Sequence, residues 1–393
     1  MPKDGKIKFV VVSDLHAEVA DASQDTRLLF GDGEFAKGII DSFAKNASDV
    51  DYLICAGDIS NQSRQGGLEA GWDFIKKLAQ VSRAKGIFVV PGNHDHDSRL
   101  QENVYCPKHK MQHLIQDFPY EGYWDNTHFW AWNWNLTSYS DFNVVILNSS
   151  AFHGYSGEWA HGRVSHETSD QILKYLKSNK VEKKLFNILL THHHPVRMDH
   201  VDAIEDYQSI DGGGYLIEKL QEAKVGPWMI VHGHKHFPDI KYGQSRSTSK
   251  PVIFSSGSLS ARLYPAIRNR TNNQYYIVEI DCEETKRWRT VTGQFFTYEW
   301  TPVSGWRKSE SNSLPCVGGF GAQLDVSSVL GELSRIFSDG RLVAKAEDLV
   351  SASNLIKYLM PEDIEVLSSE LEQEGYLAEF MGNDFVEVGR NEI

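Results

Sequence analysis

Pro91-Gly92-Asn93-His94-Asp95 is the stretch that decides the fold. Residues 86–90 before it are apolar and β-branched and predict a short buried strand, which Pro-Gly ends. Asn93 then offers a neutral oxygen, His94 a nitrogen that can bind metal or move a proton, and Asp95 a carboxylate that can orient a histidine. Taken alone, the stretch is equally well interpreted as a polar turn. Similar groups at the ends of other strands favour the functional interpretation.

Two such groups follow predicted strands near the start of the chain. Residues 7–12 predict a buried strand, and Asp14 and His16 follow it on one face, because side chains i and i+2 of an extended segment point the same way. Residues 51–56 predict a second buried strand, which is followed by Asp58. The two oxygens of Asp58 are placed to bridge two ions. Asp-Leu-His alone is also interpretable as an Asx turn.

Three successive histidines follow a predicted strand at residues 185–190. We expect one of them to bind metal. His192 is favoured because it is the first residue past Thr191, at the end of the strand. His193 is the alternative, because it would place Pro195 two residues further on. The remaining histidines are expected to contact substrate or solvent.

Another histidine group follows a predicted strand at residues 227–231. His234 and His236 share one face of an extended segment, as the period of two requires. Two histidines spaced in this way are common by chance. In a chain with similar groups at the ends of other strands, the pair is interpreted as metal ligands.

The predicted strands alternate with a helix. Apolar residues recur at helical spacing between Leu68 and Val81, so residues 68–85 predict a helix between the second and third strands. Polar groups at the carboxyl end of each strand are the arrangement expected of an α/β site. The sequence therefore predicts an α/β fold with a site at one edge of the sheet.

The composition limits the classes of function. The 393 residues include 41% hydrophobic and 24% charged residues, as is usual for a globular protein. The net charge of −13 disfavours broad electrostatic capture of nucleic acid, although a local basic groove remains compatible with it. The four cysteines form no CxxC pair, which predicts reduced thiols and a cytoplasmic location. No apolar run is long enough for a membrane span or a signal peptide, so we expect no membrane partner.

Residues 129–134, Phe-Trp-Ala-Trp-Asn-Trp, form an aromatic stretch. The alternation predicts a strand with three tryptophans on one face. Packing between two sheets is the favoured interpretation. A surface on which a nucleobase stacks is the alternative.

The pattern changes near the end of the chain. Residues 301–321 are predicted to link a domain of residues 1–300 to a smaller one of residues 322–393. The smaller part shows predicted helices and then two short strands, which indicates an α+β, winged-helix-like module. The helices are predicted at residues 326–337, 344–351, 352–359 and 361–374. From Asp325 onward there are five basic and fifteen acidic residues, whereas a winged helix that reads DNA is normally basic. We therefore predict that the module contacts a protein partner or mediates self-association.

The polar groups together supply more ligands than one ion needs. They are Asp14, His16, Asp58, Asn93, His94, His192 or His193, His234 and His236. Mixed nitrogen and oxygen ligands suit Mn, Fe, Zn, Ni or Co. Two ions about 3.5–4 Å apart that share a carboxylate can hold a bridging hydroxide at neutral pH and neutralise a phosphate under attack. The sequence therefore predicts two divalent metal ions, with Mn favoured.

At these positions the chain resembles the calcineurin-like metallophosphoesterase superfamily. Five blocks match in the family's order, within residues 6–282: Asp14-Leu-His16, Gly57-Asp58, Gly92-Asn93-His94-Asp95, His192-His193-His194-Pro195 and Gly233-His234-Lys235-His236. The resemblance implies a four-layer α-β-β-α sandwich, in which two sheets are flanked by helices and the metals lie at the rim. It does not extend to the C-terminal module.

The resemblance also implies a role for each site residue. One ion would take Asp14, His16, Asp58 and His236, and the other would take Asp58, Asn93, His192 and His234. Asp58 would bridge the two ions. His94 would not bind metal but would stabilise the transition state or protonate the leaving oxygen, and Asp95 would hold His94 in orientation.

Within the superfamily, the motifs look most like the class III cyclic-nucleotide and glycerophosphodiester phosphodiesterase branch. Gly-Asn-His-Asp stands where the serine/threonine protein phosphatases have Gly-Asn-His-Glu. The resemblance implies a dimetal phosphodiesterase that acts on a small phosphoester or nucleotide, with the bridging hydroxide as nucleophile. The alternatives are a phosphomonoesterase, a Mn-dependent nuclease, or a partner-gated effector whose C-terminal module mediates protein interaction. Nucleic acid is the less favoured substrate because the chain is acidic.

Overall fold

The structure is a computed structural model that describes residues 5–19, 33–64, 66–114, 118–178, 180–201, 206–244, 249–310 and 313–391. The strands are β1 (Lys6–Val12), β2 (Tyr52–Cys55), β3 (Ile87–Val89), β4 (Trp134–Ser138), β5 (Phe142–Leu147), β6 (Phe186–Thr191), β7 (Trp228–His232), β8 (Asp239–Tyr242), β9 (Val252–Ser255), β10 (Asn273–Asp281), β11 (Gly293–Thr301), β12 (Gly305–Lys308), β13 (Val317–Phe320), β14 (Val343–Lys345), β15 (Tyr376–Met381) and β16 (Asp384–Arg390). The helices are α1 (Glu34–Asn46), α2 (Gly67–Val81), α3 (His109–Gln112), α4 (Tyr123–Trp132), α5 (His166–Leu176), α6 (Gly213–Glu222), α7 (Cys282–Trp288), α8 (Val326–Ile336), α9 (Val350–Ile356) and α10 (Pro361–Gln373). Among the described residues, no helix has the length and apolar character needed to cross a membrane.

Two mixed β-sheets face each other at the centre of the molecule. The first has the strand order β12-β11-β10-β1-β2-β3, with β13 paired to β11, and the second has the order β4-β5-β6-β7-β9-β8. Side chains such as Phe9, Val11, Phe142 and Ile188 alternate toward a shared apolar core between the sheets. Strands buried on both faces explain the nearly continuous apolar runs in the sequence.

Helices cover the outer face of each sheet. Ile39 of α1 and Ile75 of α2 pack with Val10 and Leu53 on the first sheet. The helices α5 and α6 cover the second sheet in the same way, in a separate apolar cluster. The predicted four-layer α-β-β-α sandwich is therefore confirmed.

The C-terminal module has its own core and a small sheet. The strands β14, β16 and β15 form this sheet, and α8, α9 and α10 pack on it through residues such as Leu333, Ile356 and Leu367. Three helices followed by a hairpin confirm the predicted winged-helix-like unit. The prediction missed β14, because the segment around Ala344 was assigned to the start of a helix. Its three residues pair with β16 instead.

The aromatic stretch at residues 129–134 differs from its prediction. Residues up to Trp132 belong to the helix α4, and a strand begins only at Trp134. Asn133 ends the helix in the left-handed conformation, with φ of 61°, which is a common way for a helix to stop. The predicted strand with three tryptophans on one face is therefore wrong, and the stacking surface inferred from it is not formed.

Residues 301–321 also differ from their prediction as a linker. They contain β12 and β13, which both pair with β11 in the first sheet. A Cβ at Gly318 would collide with the Phe295 ring, and one at Gly319 would collide with the backbone of Tyr358. These glycines permit close packing inside a sheet. The segment is structured, and we propose that the first domain extends to Phe320.

Asn383 joins the C-terminal hairpin to the rest of the molecule. It lies in the two-residue turn between β15 and β16 and is 1% exposed. Its Nδ2 donates to the carbonyl oxygens of Ile356 at 2.7 Å and Leu359 at 2.9 Å, and its Oδ1 accepts from the N–H of Gly319 at 3.1 Å. One side chain thus satisfies backbone groups of both the module and the first sheet.

We expect Asn383→Ala to lower the free energy of unfolding by about 1–3 kcal/mol, because it leaves buried backbone groups without partners. Urea denaturation followed by circular dichroism would measure the loss. Asn354→Ala, at an exposed position of α9, is the matched control and should change stability little. Equal stability of the two variants would contradict the linking role of Asn383.

Candidate functional site

The predicted site residues meet at one end of the two sheets. The strands β1, β2 and β3 are parallel neighbours, and so are β6 and β7, so that their carboxyl ends lie together. The residues that follow these five strands are the ones selected from the sequence. The fold therefore brings the residues that follow strands of the first sheet close to those that follow strands of the second sheet, as expected of an α/β site.

Asp14, His16, Asp58 and His236 form a first group of possible ligands. Each residue offers one atom that could bind a metal, a ring nitrogen or a carboxylate oxygen, and these four atoms all lie within 4.8 Å of one another. Nε2 of His16 is 3.0 Å from Nε2 of His236, which is 3.2 Å from Oδ1 of Asp14. Three of the four residues are buried. Two imidazole nitrogens this close are stable only with a proton or a cation between them, so the group fits a divalent ion.

Asn93, His192 and His234 form a second group on the other side of Asp58. Oδ1 of Asn93 is 3.0 Å from Nε2 of His192 and 2.9 Å from Nδ1 of His234. The two histidine nitrogens are 3.3 Å apart. One amide oxygen and two imidazole nitrogens converge on one point, so this group also fits a divalent cation.

Asp58 lies between the two groups. Its Oδ2 is 3.8 Å from Nε2 of His16 and 3.4 Å from Nε2 of His192. Its Oδ1 accepts the backbone N–H of His94 at 2.7 Å. A single oxygen therefore faces both groups, and the second oxygen is fixed by the backbone. The sequence had suggested that both oxygens would bridge.

The structure distinguishes the three histidines after β6. Nδ1 of His192 lies 2.7 Å from the carbonyl oxygen of Ala56 and donates to it, which leaves Nε2 directed at the cluster. Nδ1 of His193 lies 2.9 Å from Oγ of Ser149. Its ring is 4.3 Å from that of His234, behind the group. The geometry therefore favours His192 over His193 as a ligand.

Five of the predicted ligands have a left-handed backbone. The φ angles are 53° at Asp14, 48° at His16, 52° at Asp58, 76° at His234 and 53° at His236. Non-glycine residues rarely adopt this conformation, which costs on the order of 1 kcal/mol or more at each position. Its concentration in one cluster indicates that the backbone is held in place to direct these side chains.

Two glycines allow the loops to approach one another. A Cβ at Gly92 would overlap the carboxylate and backbone nitrogen of Asp58. A Cβ at Gly233 would overlap Oγ of Ser13 and press on Oδ2 of Asp14. Any larger residue at either position would displace a ligand, which gives a physical reason for glycine in two of the sequence blocks.

The cluster contains both ionised and neutral groups. Burial opposes ionisation of Asp58, but the neighbouring His192 and His94 hold the pKa of its carboxyl well below the ordinary value. Burial lowers the pKa of His234 well below its usual range. Burial also acts to lower the pKa of His192, but Asp58 outweighs it and raises this pKa to about 9. The carboxylate of Asp58 thus favours the protonated form of His192, and a proton on Nε2 would have to leave before that atom could bind a metal ion.

His94 and Asp95 occupy different environments. The half-buried ring of His94 meets that of His16 edge-to-face at 4.6 Å and borders an open cavity. Asp95 is buried and accepts backbone N–H groups of Ser60 at 2.7 Å and Gly92 at 2.8 Å. These contacts fix the loop that carries Asp58. The predicted role of Asp95 in orienting His94 stays a prediction.

Several polar residues around the cluster were not predicted from the sequence. Nδ1 of His153 lies 2.7 Å from Oγ of Ser98, which donates to the carbonyl oxygen of Asn93 at 2.6 Å. Ser149, beside His193, follows β5 at the same end of the sheets. Its position after a buried strand was the available signal, but serine alone does not indicate a site. His153 lies in a turn and gave no signal.

Comparison with known proteins identifies both parts of the chain. A model of the calcineurin-like phosphoesterase family matches residues 7–238. A model of a winged helix-turn-helix domain associated with calcineurin-like proteins matches residues 318–373. An uncharacterised protein of Acanthamoeba polyphaga mimivirus is 23% identical over 229 residues, which are 57% of this chain and 66% of that protein. The match thus spans slightly less than two thirds of that relative.

Two solved structures are similar to parts of this chain. The purple acid phosphatase of yellow lupin seeds is 16% identical with a TM-score of 0.48, over 77% of this chain and 53% of that one. A 5'-nucleotidase assigned in Staphylococcus aureus is 13% identical with a TM-score of 0.37, over 85% of this chain and 58% of that one. The first family model covers more than half of the chain. The chain belongs to the calcineurin-like phosphoesterase family.

Proposed function

We propose that this chain hydrolyses phosphoric diesters of small molecules. The observation that carries the proposal is the position of Asp58 Oδ2 between two groups of possible metal ligands, at 3.8 Å from His16 and 3.4 Å from His192. A pair of ions at this place would supply an activated water as nucleophile and would neutralise charge on the phosphate. The open cavity beside His94 offers room for the second ester group, which a monoester lacks.

We assign the ligands from these distances. Asp14, His16, Asp58 and His236 would hold one ion, and Asp58, Asn93, His192 and His234 would hold the other. The mixture of oxygen and nitrogen atoms suits Mn, Fe, Zn, Ni or Co, and we favour Mn. The cytoplasmic location predicted from the cysteines stays a prediction.

His94 is the proposed proton donor to the leaving oxygen. Its ring is only half-buried, beside His16 and facing the cavity, so a substrate can reach it. Its backbone N–H donates to Oδ1 of Asp58, which fixes the distance between the ring and the cluster. A group that protonates the leaving oxygen accelerates hydrolysis by about 10²–10⁴-fold.

The proposal is tested by comparing bis(p-nitrophenyl) phosphate with p-nitrophenyl phosphate as substrates of the full chain with Mn²⁺ added. A higher kcat/KM for the diester supports phosphodiesterase activity. A higher kcat/KM for the monoester would replace the proposal with phosphomonoesterase activity. Cleavage of single-stranded DNA in preference to both would identify a nuclease.

We expect removal of divalent metal to destabilise the protein. The cluster brings the carboxylates of Asp14 and Asp58 together in a buried place, and bound cations neutralise them. At a metal concentration about 100 times Kd, one site adds about 2.7 kcal/mol to the free energy of unfolding. Urea denaturation with Mn²⁺ and with a chelator would measure the difference. Identical unfolding midpoints would contradict metal binding at the buried cluster.

A second function is favoured by the surface of the C-terminal module. The module is acidic, yet it exposes several large apolar side chains: Leu342, Val343, Val350, Leu355, Val366, Leu377 and Met381. Where such side chains form a contiguous patch, they commonly mark a protein contact. We propose that the module binds a protein partner or a second copy of the chain. Light scattering of the full chain tests self-association, and a mass above one chain at micromolar concentration would support it.

A further inference from the structure

Trp159 and Arg99 form an unassigned surface beside the proposed active site. Both residues border the same cavity as Asn93 and His94. The guanidinium of Arg99 lies over the Trp159 ring, 4.7 Å from its centroid, and 45% of Trp159 is exposed. The indole supplies an aromatic face, and the guanidinium supplies a positive charge, next to the cluster.

The turn that carries Trp159 is held rigidly. Arg163 makes two hydrogen bonds with the carboxylate of Glu158, at 2.6 Å and 3.0 Å. The same guanidinium forms an ion pair with Asp211 at 2.5 Å. The turn Glu158–Ala160 is therefore anchored on one side by charge-assisted contacts. A surface that is fixed before binding loses less entropy when a ligand arrives.

The segment that carries Arg99 is held by a separate contact. The carboxylate of Asp97 accepts backbone N–H groups of Gln101, Glu102 and Asn103 at 2.7–2.8 Å. Both carboxylate oxygens of Asp97 therefore accept hydrogen bonds from the backbone of its own loop. Among the residues that the structure describes, no carboxylate lies within 4 Å of the Arg99 guanidinium. Its charge is available to a ligand.

The rim of the cavity also offers hydrogen-bonding groups. The exposed amides of Gln62 and Gln101 lie there, and each has both a donor and an acceptor. An aliphatic alcohol such as glycerol has no flat face for an indole or a guanidinium. A heteroaromatic ring has a flat face for the pair and a polar edge for the amides.

We propose that Trp159 and Arg99 form a subsite for a planar heteroaromatic ring, such as a nucleobase, carried by one ester group of the substrate. The inference rests on the proposed function, because the phosphate of such a substrate must lie at the cluster. The cavity that contains His94 connects the two places. The pair determines which ester group is preferred and takes no part in the chemical step.

The test is calorimetric binding of adenosine 5'-monophosphate and glycerol 3-phosphate to the full chain with Mn²⁺. The wild type should bind the nucleotide more tightly. Trp159→Leu should weaken nucleotide binding about tenfold and leave glycerol phosphate binding unchanged, because a stacking contact is lost. Trp159→Phe should retain most of the affinity. Trp124→Leu is the control, since Trp124 is 79% exposed and lies outside the cavity.

Equal affinity of the wild type for the two ligands would overturn the subsite, and so would an equal loss for both in Trp159→Leu. Hydrolysis of bis(p-nitrophenyl) phosphate is measured separately on the same variants. Turnover of this diester without selective nucleotide binding would leave the proposed function standing and remove the inference. Selective binding that depends on Trp159, without any diester turnover, would keep the subsite and remove the phosphodiesterase assignment.

Discussion

Asp58→Ala is expected to lower kcat/KM for bis(p-nitrophenyl) phosphate by more than about 10³-fold. The residue supplies the one oxygen that faces both ligand groups, and its second oxygen accepts the backbone N–H of His94. Its removal would therefore weaken both metal sites and release the loop that carries His94. Initial rates with Mn²⁺ and metal content by mass spectrometry would be measured on the same preparations.

Asp51→Ala is the matched control. Asp51 stands just before the other end of β2, where it accepts the backbone N–H of Lys8 at 2.9 Å. It is far from the cluster along the same strand, so its loss should affect stability more than turnover. Full activity of Asp58→Ala, with metal still bound, would refute the shared-carboxylate site.

His94→Gln is expected to lower kcat by roughly 10²–10⁴-fold for a diester with an alkyl leaving group, such as 3',5'-cyclic AMP. An alkoxide needs a proton as it leaves, and the His94 ring borders the cavity, where it can supply one. p-Nitrophenolate leaves without a proton, so with bis(p-nitrophenyl) phosphate the loss should be below about tenfold. The comparison of the two substrates isolates proton donation from other effects of the substitution.

Metal content should be unchanged in His94→Gln, because the ring is not among the proposed ligands. His113→Gln serves as control, since His113 is exposed and lies outside the cavity. An equal loss with both substrates would show that His94 acts on the phosphate instead of the leaving oxygen. A loss of bound metal would mean that His94 is itself a ligand.

The sequence alone predicted that the site residues would lie close together, because two simple rules connect its pattern to the fold. Apolar runs identify buried strands, and the carboxyl ends of parallel strands meet at one edge of a sheet. Asp14, Asp58 and Asn93 each lie within four residues of the end of such a strand. The sequence also showed that the ligands were too many for one ion.

The choice between His192 and His193 could not be made in this way. Both follow β6, and their directions depend on contacts made across the sandwich. The carbonyl oxygen of Ala56, after β2, holds one ring, and Ser149, after β5, holds the other. Contacts between residues so far apart in sequence leave no periodic signal in a single chain.

The errors at residues 129–134 and 301–321 have a common origin. Each prediction used a local pattern that tertiary packing overrode. Asn133 ends a helix inside an apparent alternation, and Gly318 packs against Phe295 in a sheet where the composition suggested a linker. Trp159 and Arg99 illustrate a further limit, because they lie on separate turns that become neighbours only in the folded chain.

The left-handed backbone at five ligand positions has a consequence for metal exchange. Each of these conformations is unfavourable for a non-glycine residue, so the packing of the surrounding strands and loops must supply the free energy that holds it. The centre is then a rigid receptor, whose dimensions change little when one cation replaces another. Which of the ions that suit nitrogen and oxygen ligands occupies the centre would then depend on how well each fits this fixed spacing and on cellular supply.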